Sequence, residues 1–74
     1  MKVVVIGAAG HIGNAIARAL VGQRHDVTAC GRRKELPVNL VGLPVQYLVG
    51  DGEAPGQFDR WSQQHEIVVD AAAP

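Results

Sequence analysis

Apolar residues follow two alternating patterns along the chain, and these patterns predict its secondary structure. Four short runs are mostly apolar and have the length of a buried strand. They cover residues 3–6, 27–30, 45–49 and 67–69. After the first run, apolar residues recur at helical spacing; they are Ile12, Ala15, Ile16, Ala19 and Leu20. A second helix is predicted over residues 55–64, with Phe58 and Trp61 on its apolar face.

The order of these elements predicts a parallel sheet. Residues 31–44 are broken by Pro37, Gly42 and Pro44, so they predict at most one short helix near residues 38–41. Strands that alternate with helices form parallel sheets with helices on both faces. Right-handed crossovers then give the strand order 3-2-1-4. We therefore predict a three-layer αβα fold of the α/β class.

Length and composition restrict the fold and the function. The 74 residues form one domain at most, and the single cysteine, Cys30, excludes an internal disulfide. Seven basic and seven acidic residues balance, so the chain lacks the basic excess of nucleic-acid-binding proteins. No apolar run is long enough for a membrane span or a secretory signal. A cytoplasmic protein with Cys30 as a buried strand thiol is expected.

A glycine-rich loop follows the first strand. Gly7, Gly10 and Gly13 form the pattern Gly-x-x-Gly-x-x-Gly. The first glycine permits a tight reversal, the second lets a pyrophosphate approach the backbone, and the third lets the helix pack closely. The helix N-terminus would offer unpaired N–H groups and a positive dipole end to the phosphates. The alternative is a tight turn with close helix packing and no ligand.

This glycine spacing resembles the extended and atypical short-chain dehydrogenase/reductase family, of the NAD-dependent epimerase/dehydratase type. Its members read as strand, glycine loop and helix, which residues 3–20 match. The resemblance covers all 74 residues and implies the N-terminal half of a Rossmann-like NAD(P)-binding domain, truncated after strand four. Asp51 resembles the family's aspartate that holds the adenine amino group. Asp70 departs from the family at the start of the small-residue stretch that lines the cofactor.

The end of the second strand bears on the choice of cofactor. An NAD-preferring site places an acid there to bind the ribose 2′-hydroxyl, whereas this chain has Gly31-Arg32-Arg33. A guanidinium matches a phosphate in planar geometry, so NADP is favoured over NAD, with Arg32 as the main contact. A solvated basic turn is the alternative. The predicted cofactor-binding residues are Gly7, Ala9, Gly10, His11, Ile12, Gly13, Gly31, Arg32, Arg33, Asp51, Gly52, Ala71 and Ala72.

Catalytic groups of the family are not found in these residues. Tyr47 has no lysine four residues later, so it does not match the family's Tyr-x-x-x-Lys pair. We expect the 74-residue chain to be inactive and its parent to be an NAD(P)-dependent oxidoreductase, epimerase or dehydratase with a small-molecule substrate. A non-catalytic NADP-sensing or regulatory module is the alternative, and a structural domain without a ligand is the third reading. No metal site is predicted.

The order 3-2-1-4 also predicts that strand four lies at one edge of the sheet. Residues 67–69 have the composition of an interior strand, and an unprotected apolar edge pairs readily with another chain. Self-association through the edge of strand four is therefore expected. Phe58 and Trp61 are predicted to lie in the core. His25 and His65 are predicted to be surface residues in a loop or at the end of a helix.

Overall fold

Four parallel strands form one sheet in the computed structural model, which describes residues 1–51 and 54–71. The strands are β1 (Lys2–Ile6), β2 (Asp26–Gly31), β3 (Gln46–Val49) and β4 (Ile67–Asp70). Their order is β3-β2-β1-β4, and each neighbouring pair is parallel. Both the parallel sheet and the predicted order 3-2-1-4 are confirmed.

Two helices cover the opposite faces of this sheet. Helix α1 (His11–Gly22) packs through Ala17 on one face, and helix α2 (Gln57–Gln64) packs through Trp61 on the other. The predicted three-layer αβα arrangement is therefore confirmed. The segment between β2 and β3, residues 32–45, is here called the connector, and it contains one 3-10 turn at Val38–Leu40.

Strand β1 lies at the centre of both halves of the core. Its side chains alternate between the two faces of the sheet, as in any strand. Val3 and Val5 lie in the cluster beneath α1, whereas Val4 and Ile6 lie in the cluster beneath α2. A strand that is buried on both faces must be apolar at every position, which is why this run is continuous rather than alternating.

The buried face of helix α1 is shifted from the one predicted. Gly13 and Ala17 are buried, and Ile16 and Leu20 pack at the margin of the core. Ile12, which the spacing placed on the apolar face, is instead 67% exposed. Close packing at Gly13 turns the side of the helix that carries Gly13 and Ala17 toward the sheet. The sequence pattern did not predict this orientation, because glycine has no side chain and is not counted as an apolar position.

Helix α2 is held by one aromatic residue rather than by the two predicted. Trp61 is buried against Val4 and Ile6, which confirms its place in the core. Phe58 is 43% exposed, so its prediction as a core residue is wrong. The helix has only eight residues, and it presents one narrow face to the sheet.

His65 lies at the end of α2, as predicted, but it is less exposed than a surface residue. The side chain is half-buried beyond the end of α2. Its Nδ1 donates to the Trp61 carbonyl oxygen at 2.9 Å, and its Nε2 lies 3.0 Å from the Thr28 hydroxyl. His65 thereby joins the end of α2 to strand β2.

The Gly13 contact predicts a specific stability difference between two glycines of α1. In Gly13→Ala, the new Cβ would lie 2.8 Å from the Gly7 carbonyl carbon and 3.1 Å from the Ala8 Cα. These are backbone atoms that cannot swing away, so we expect a loss of roughly 1–3 kcal/mol of unfolding free energy in urea titrations followed by circular dichroism.

Gly22→Ala is the matched control, because nothing lies within 4 Å of its added Cβ. It should be neutral or stabilising by up to about 1 kcal/mol, since alanine has the higher helix propensity. Equal unfolding midpoints for the two variants would contradict the packing account.

A second prediction concerns the Cys30 thiol. Burial in the sheet raises the pKa of Cys30 to about 12, so its reactive thiolate is scarce near neutral pH. We expect Ellman's reagent to react very slowly with the folded protein at about pH 8 and rapidly in concentrated guanidinium chloride. Rapid labelling of the folded protein, without loss of its circular dichroism, would refute this burial.

Candidate functional site

The carboxyl ends of the four strands surround one cavity of about 310 Å³. Each strand contributes at least one lining residue at or just beyond its end; these are Gly7, Gly31, Arg32, Arg33, Asp51 and Asp70. Ligands of open parallel α/β sheets bind at this edge, where the loops diverge to either side of the sheet. The geometry therefore places several sequence-predicted site residues around a common space.

The glycine loop forms a tight turn from β1 into α1. Gly7 has a φ of 78°, a left-handed value that favours glycine. Its N–H donates to the Cys30 carbonyl at 3.0 Å, and its own carbonyl accepts the Gly10 N–H at 3.0 Å. Gly13 packs directly on Gly7 and leaves no room for a Cβ. The structural roles predicted for the first and third glycines are thus confirmed.

The first turn of α1 offers donors for an anion. Within the described part of the chain, the backbone N–H groups of His11, Ile12 and Gly13 have no protein acceptor; the first bonded amide is Asn14, which donates to Gly10 at 2.8 Å. No side chain caps the helix at Gly10, and its first turn has no acidic residue. Such N–H groups and the helix dipole favour an anion such as a phosphate.

Arg32 and Asp51 face each other at the mouth of the cavity. An Arg32 guanidinium nitrogen lies 3.5 Å from an Asp51 carboxylate oxygen, and the two side chains are 71% and 46% exposed. An exposed pair of this kind contributes roughly 0–1 kcal/mol. Breaking this ion pair would therefore cost little free energy.

A second hollow of about 580 Å³ adjoins the cavity on the outer side of the glycine loop. Ala9, Arg33 and Pro37 line both spaces, so the two are neighbours. Among the described residues, no carboxylate lies within ion-pair distance of the Arg33 guanidinium. Arg33 therefore lines both spaces without an ion-pair partner among the described residues.

Tyr47 fixes the backbone at the end of β2. Its hydroxyl donates to the Arg33 carbonyl oxygen at 2.8 Å, and its ring packs against the core. A Cβ at Gly31 would lie 2.7 Å from this hydroxyl, so the glycine makes room for the contact. Tyr47 is thus a packed residue of strand β3, and its contact with Arg33 is a role that the sequence pattern did not reveal.

Sequence reasoning missed several residues that line the cavity, namely Ile6, Pro37, Tyr47, Gly50, Phe58 and Asp70. Phe58 is the most informative of them, because an exposed aromatic ring beside a cavity can contact a planar ligand. Its spacing from Trp61 placed both on one helix face. The available signal was its position in the first turn of α2, on the side of the molecule where β3 ends.

Some predicted site residues do not line either space. The side chains of His11 and Ile12 are exposed and line neither space, and only their N–H groups belong to the row of unpaired donors. The Ala71 N–H donates to the Ile6 carbonyl at 2.9 Å, which extends the pairing of β4 with β1. Gly52 and Ala72 lie outside the described residues.

Two other features are absent from residues 1–51 and 54–71. No group of three or more His, Cys, Asp or Glu side chains there could hold a metal ion. No helix in the same part of the chain has the length and apolar character to cross a membrane.

Solved structures of similar proteins share this fold. One of them is UDP-glucose 4-epimerase from the hyperthermophile Thermotoga maritima, solved with UDP-glucose. It aligns with this chain at a TM-score of 0.77 and 21% sequence identity, and the alignment covers 99% of this chain and 24% of the epimerase chain. Two structures of the TT0495 protein from Thermus thermophilus have TM-scores of 0.75 and 30% identity over 99% of this chain and 34% or 32% of theirs. This chain therefore spans only a quarter to a third of those lengths. No curated protein matches it significantly.

A family-level comparison covers nearly the whole sequence. Residues 3–74 match the profile of the NAD dependent epimerase/dehydratase family. The matched region includes the glycine loop, the paired arginines and the carboxyl ends of all four strands. The resemblance carried by Gly7, Gly10 and Gly13 is confirmed, and the chain belongs to the NAD dependent epimerase/dehydratase family.

Proposed function

We propose that the protein binds an NAD(P) dinucleotide at the carboxyl edge of its sheet, with NADP preferred over NAD. The observation that carries this proposal is the row of unpaired N–H groups at the start of α1, beside a cavity bordered by two arginines. In this proposal the chain is the cofactor-binding part of an oxidoreductase, epimerase or dehydratase. Bound nicotinamide would supply hydride transfer to that reaction.

The pyrophosphate would bind at the glycine loop. His11, Ile12 and Gly13 would donate their N–H groups to the phosphate oxygens, and the dipole of α1 would favour the negative charge. Gly10 keeps the approach open, since a Cβ there would already lie 3.2 Å from the Gly7 carbonyl oxygen. These contacts are shared by NAD and NADP, so they supply affinity but no discrimination between the two.

The adenine would bind at the mouth of the cavity. Asp51 would accept a hydrogen bond from the adenine amino group, as the family resemblance implies. The ring of Phe58 lines the same cavity and is exposed, so one face of the base could stack on it. Gly50 brings the chain close to α2, because a Cβ there would lie 2.9 Å from the Trp61 ring.

The 2′-phosphate of NADP would bind the arginines at the end of β2. Arg32 currently pairs with Asp51, and a bound cofactor would replace each partner with a matching group. The phosphate would take the place of the carboxylate beside Arg32, and the adenine amino group would take the place of the guanidinium beside Asp51. Arg33, which faces the adjoining hollow, would contribute a second positive charge.

The Arg32 proposal predicts a change in cofactor preference. Wild-type protein should bind NADP more tightly than NAD in calorimetric titrations. In Arg32→Asp, the carboxylate would repel the 2′-phosphate, and we expect the NADP affinity to fall about tenfold or more while NAD binding is retained.

Arg60→Asp is the matched control. It makes the same charge change on the exposed side of α2, away from the cavity lining, and should leave the preference unchanged. An unchanged ratio of NADP to NAD affinity in Arg32→Asp would refute this assignment. If the wild-type protein binds neither dinucleotide, the proposed function itself is refuted.

Phe58 provides an independent test of the adenine position. Stacking of a base on an aromatic side chain contributes roughly 1–3 kcal/mol, so Phe58→Ala should weaken ADP binding about tenfold. Phe58→Tyr keeps the ring and should retain most of the affinity. Equal ADP affinities in the wild type and Phe58→Ala would place the adenine elsewhere.

A further inference from the structure

The connector is hydrogen-bonded to the glycine loop through one side chain. The Asn39 Nδ2 donates to the Ala9 carbonyl oxygen at 2.9 Å, although the two residues are 30 positions apart in the sequence. We propose that Asn39 is a positioning residue, which orients the glycine loop for the phosphates without touching the reacting groups. This inference rests on the proposed dinucleotide function.

The bond from Asn39 fixes one particular peptide unit. The Ala9 carbonyl and the Gly10 N–H belong to the same planar trans peptide, so they point in opposite directions. The Gly10 N–H donates to the Gly7 carbonyl at 3.0 Å, while the Ala9 carbonyl accepts from Asn39. With both ends engaged, this peptide cannot rotate without breaking two hydrogen bonds.

The orientation of this peptide matters for an anion. It lies immediately before the first turn of α1, where the N–H groups of His11, Ile12 and Gly13 are unpaired. A rotated Ala9–Gly10 peptide would point its carbonyl oxygen at the Gly7 carbonyl oxygen, which now accepts the Gly10 N–H, so the turn that precedes those donors would have to move. Asn39 therefore holds this turn in the conformation that places the donors of α1 in front of the proposed pyrophosphate position.

Asn39 is itself held from helix α1. Its backbone carbonyl accepts from the Asn14 Nδ2 at 3.1 Å and from an Arg18 guanidinium nitrogen at 3.0 Å. The Arg18 Nε also donates to the Asn14 Oδ1 at 2.9 Å, which orients that amide. The next residue, Leu40, is buried in the cluster beneath α1 and anchors the turn. The donor that reaches Ala9 is thus attached to fixed parts of the fold.

The same contact links the walls of the second hollow. Ala9 and Gly10 form its loop side, whereas Arg33 and Asn39 belong to the connector. Asn39 therefore keeps the pyrophosphate-binding loop and the arginine-bearing connector at a constant separation. The loop and the connector would therefore be preorganised for a dinucleotide that contacts both of them.

Asn39→Ala in the full chain tests this role, with Gln63→Ala as a control that removes an exposed amide from α2. We expect amide hydrogen exchange at Gly10 to accelerate about fivefold, since one hydrogen bond of its peptide unit is lost. Affinity for ADP should fall about fivefold in the same variant. Exchange in β1, the unfolding midpoint and affinity for adenosine, which lacks phosphates, should remain close to wild type.

A second variant separates the effect of losing the amide donor from the effect of changing the side-chain size. Asn39→Asp keeps the size but places an acceptor against the Ala9 carbonyl, so it should accelerate Gly10 exchange and weaken ADP binding at least as much as Asn39→Ala. Wild-type Gly10 exchange in both variants would overturn the positioning role, and so would ADP and adenosine affinities that fall by the same factor. Absence of dinucleotide binding by the wild type would instead refute the proposed function, and the exchange rates would still test the orientation of the loop.

Discussion

The contact between helix α1 and the carbonyl of Gly7 is the constraint on which the rest of the site depends. Because Gly13 has no side chain, the first helical turn rests on the backbone of the loop itself. This contact sets the direction of α1 relative to β1 and places its unpaired N–H groups beside the cavity. It also selects the buried face of the helix, with Ala17 inward and Ile12 outward.

The position of the site follows from the way in which the core is built. Strand β1 is buried on both faces and pairs with β2 on one side and β4 on the other, so it is firmly held in the sheet. The loop that leaves its carboxyl end is therefore attached to a constrained element. In this position, backbone N–H groups can be held ready for a ligand even though the domain is small.

Much of the fold could be predicted from the sequence because the underlying rules are local. Apolar runs of strand length, helical spacing and right-handed crossovers together determine the order β3-β2-β1-β4. The glycine loop was recognisable for the same reason, since Gly7, Gly10 and Gly13 lie within seven consecutive positions. The arginines at the end of β2 were found from their position after a strand.

The remaining features could not be predicted because they depend on contacts between distant, exposed residues. Asn39 reaches Ala9 across 30 positions, and a single hydrogen bond leaves no periodic pattern in the sequence. Phe58 shares the spacing of a core residue with Trp61, and only the packed helix shows that one of the two is left outside. Burial patterns identify the residues of the core, but they do not identify the exposed residues that could contact a ligand.

The site combines two kinds of restraint, and the difference between them suits its proposed use. The Ala9–Gly10 peptide is held by neutral hydrogen bonds at both ends, and a phosphate replaces neither of them. The cavity mouth is held by the exposed pair of Arg32 and Asp51, which is weak and screened by water. The glycine loop therefore holds the N–H donors of α1 in place before a ligand binds. At the mouth, the ion pair between Arg32 and Asp51 can give way to contacts with the ligand.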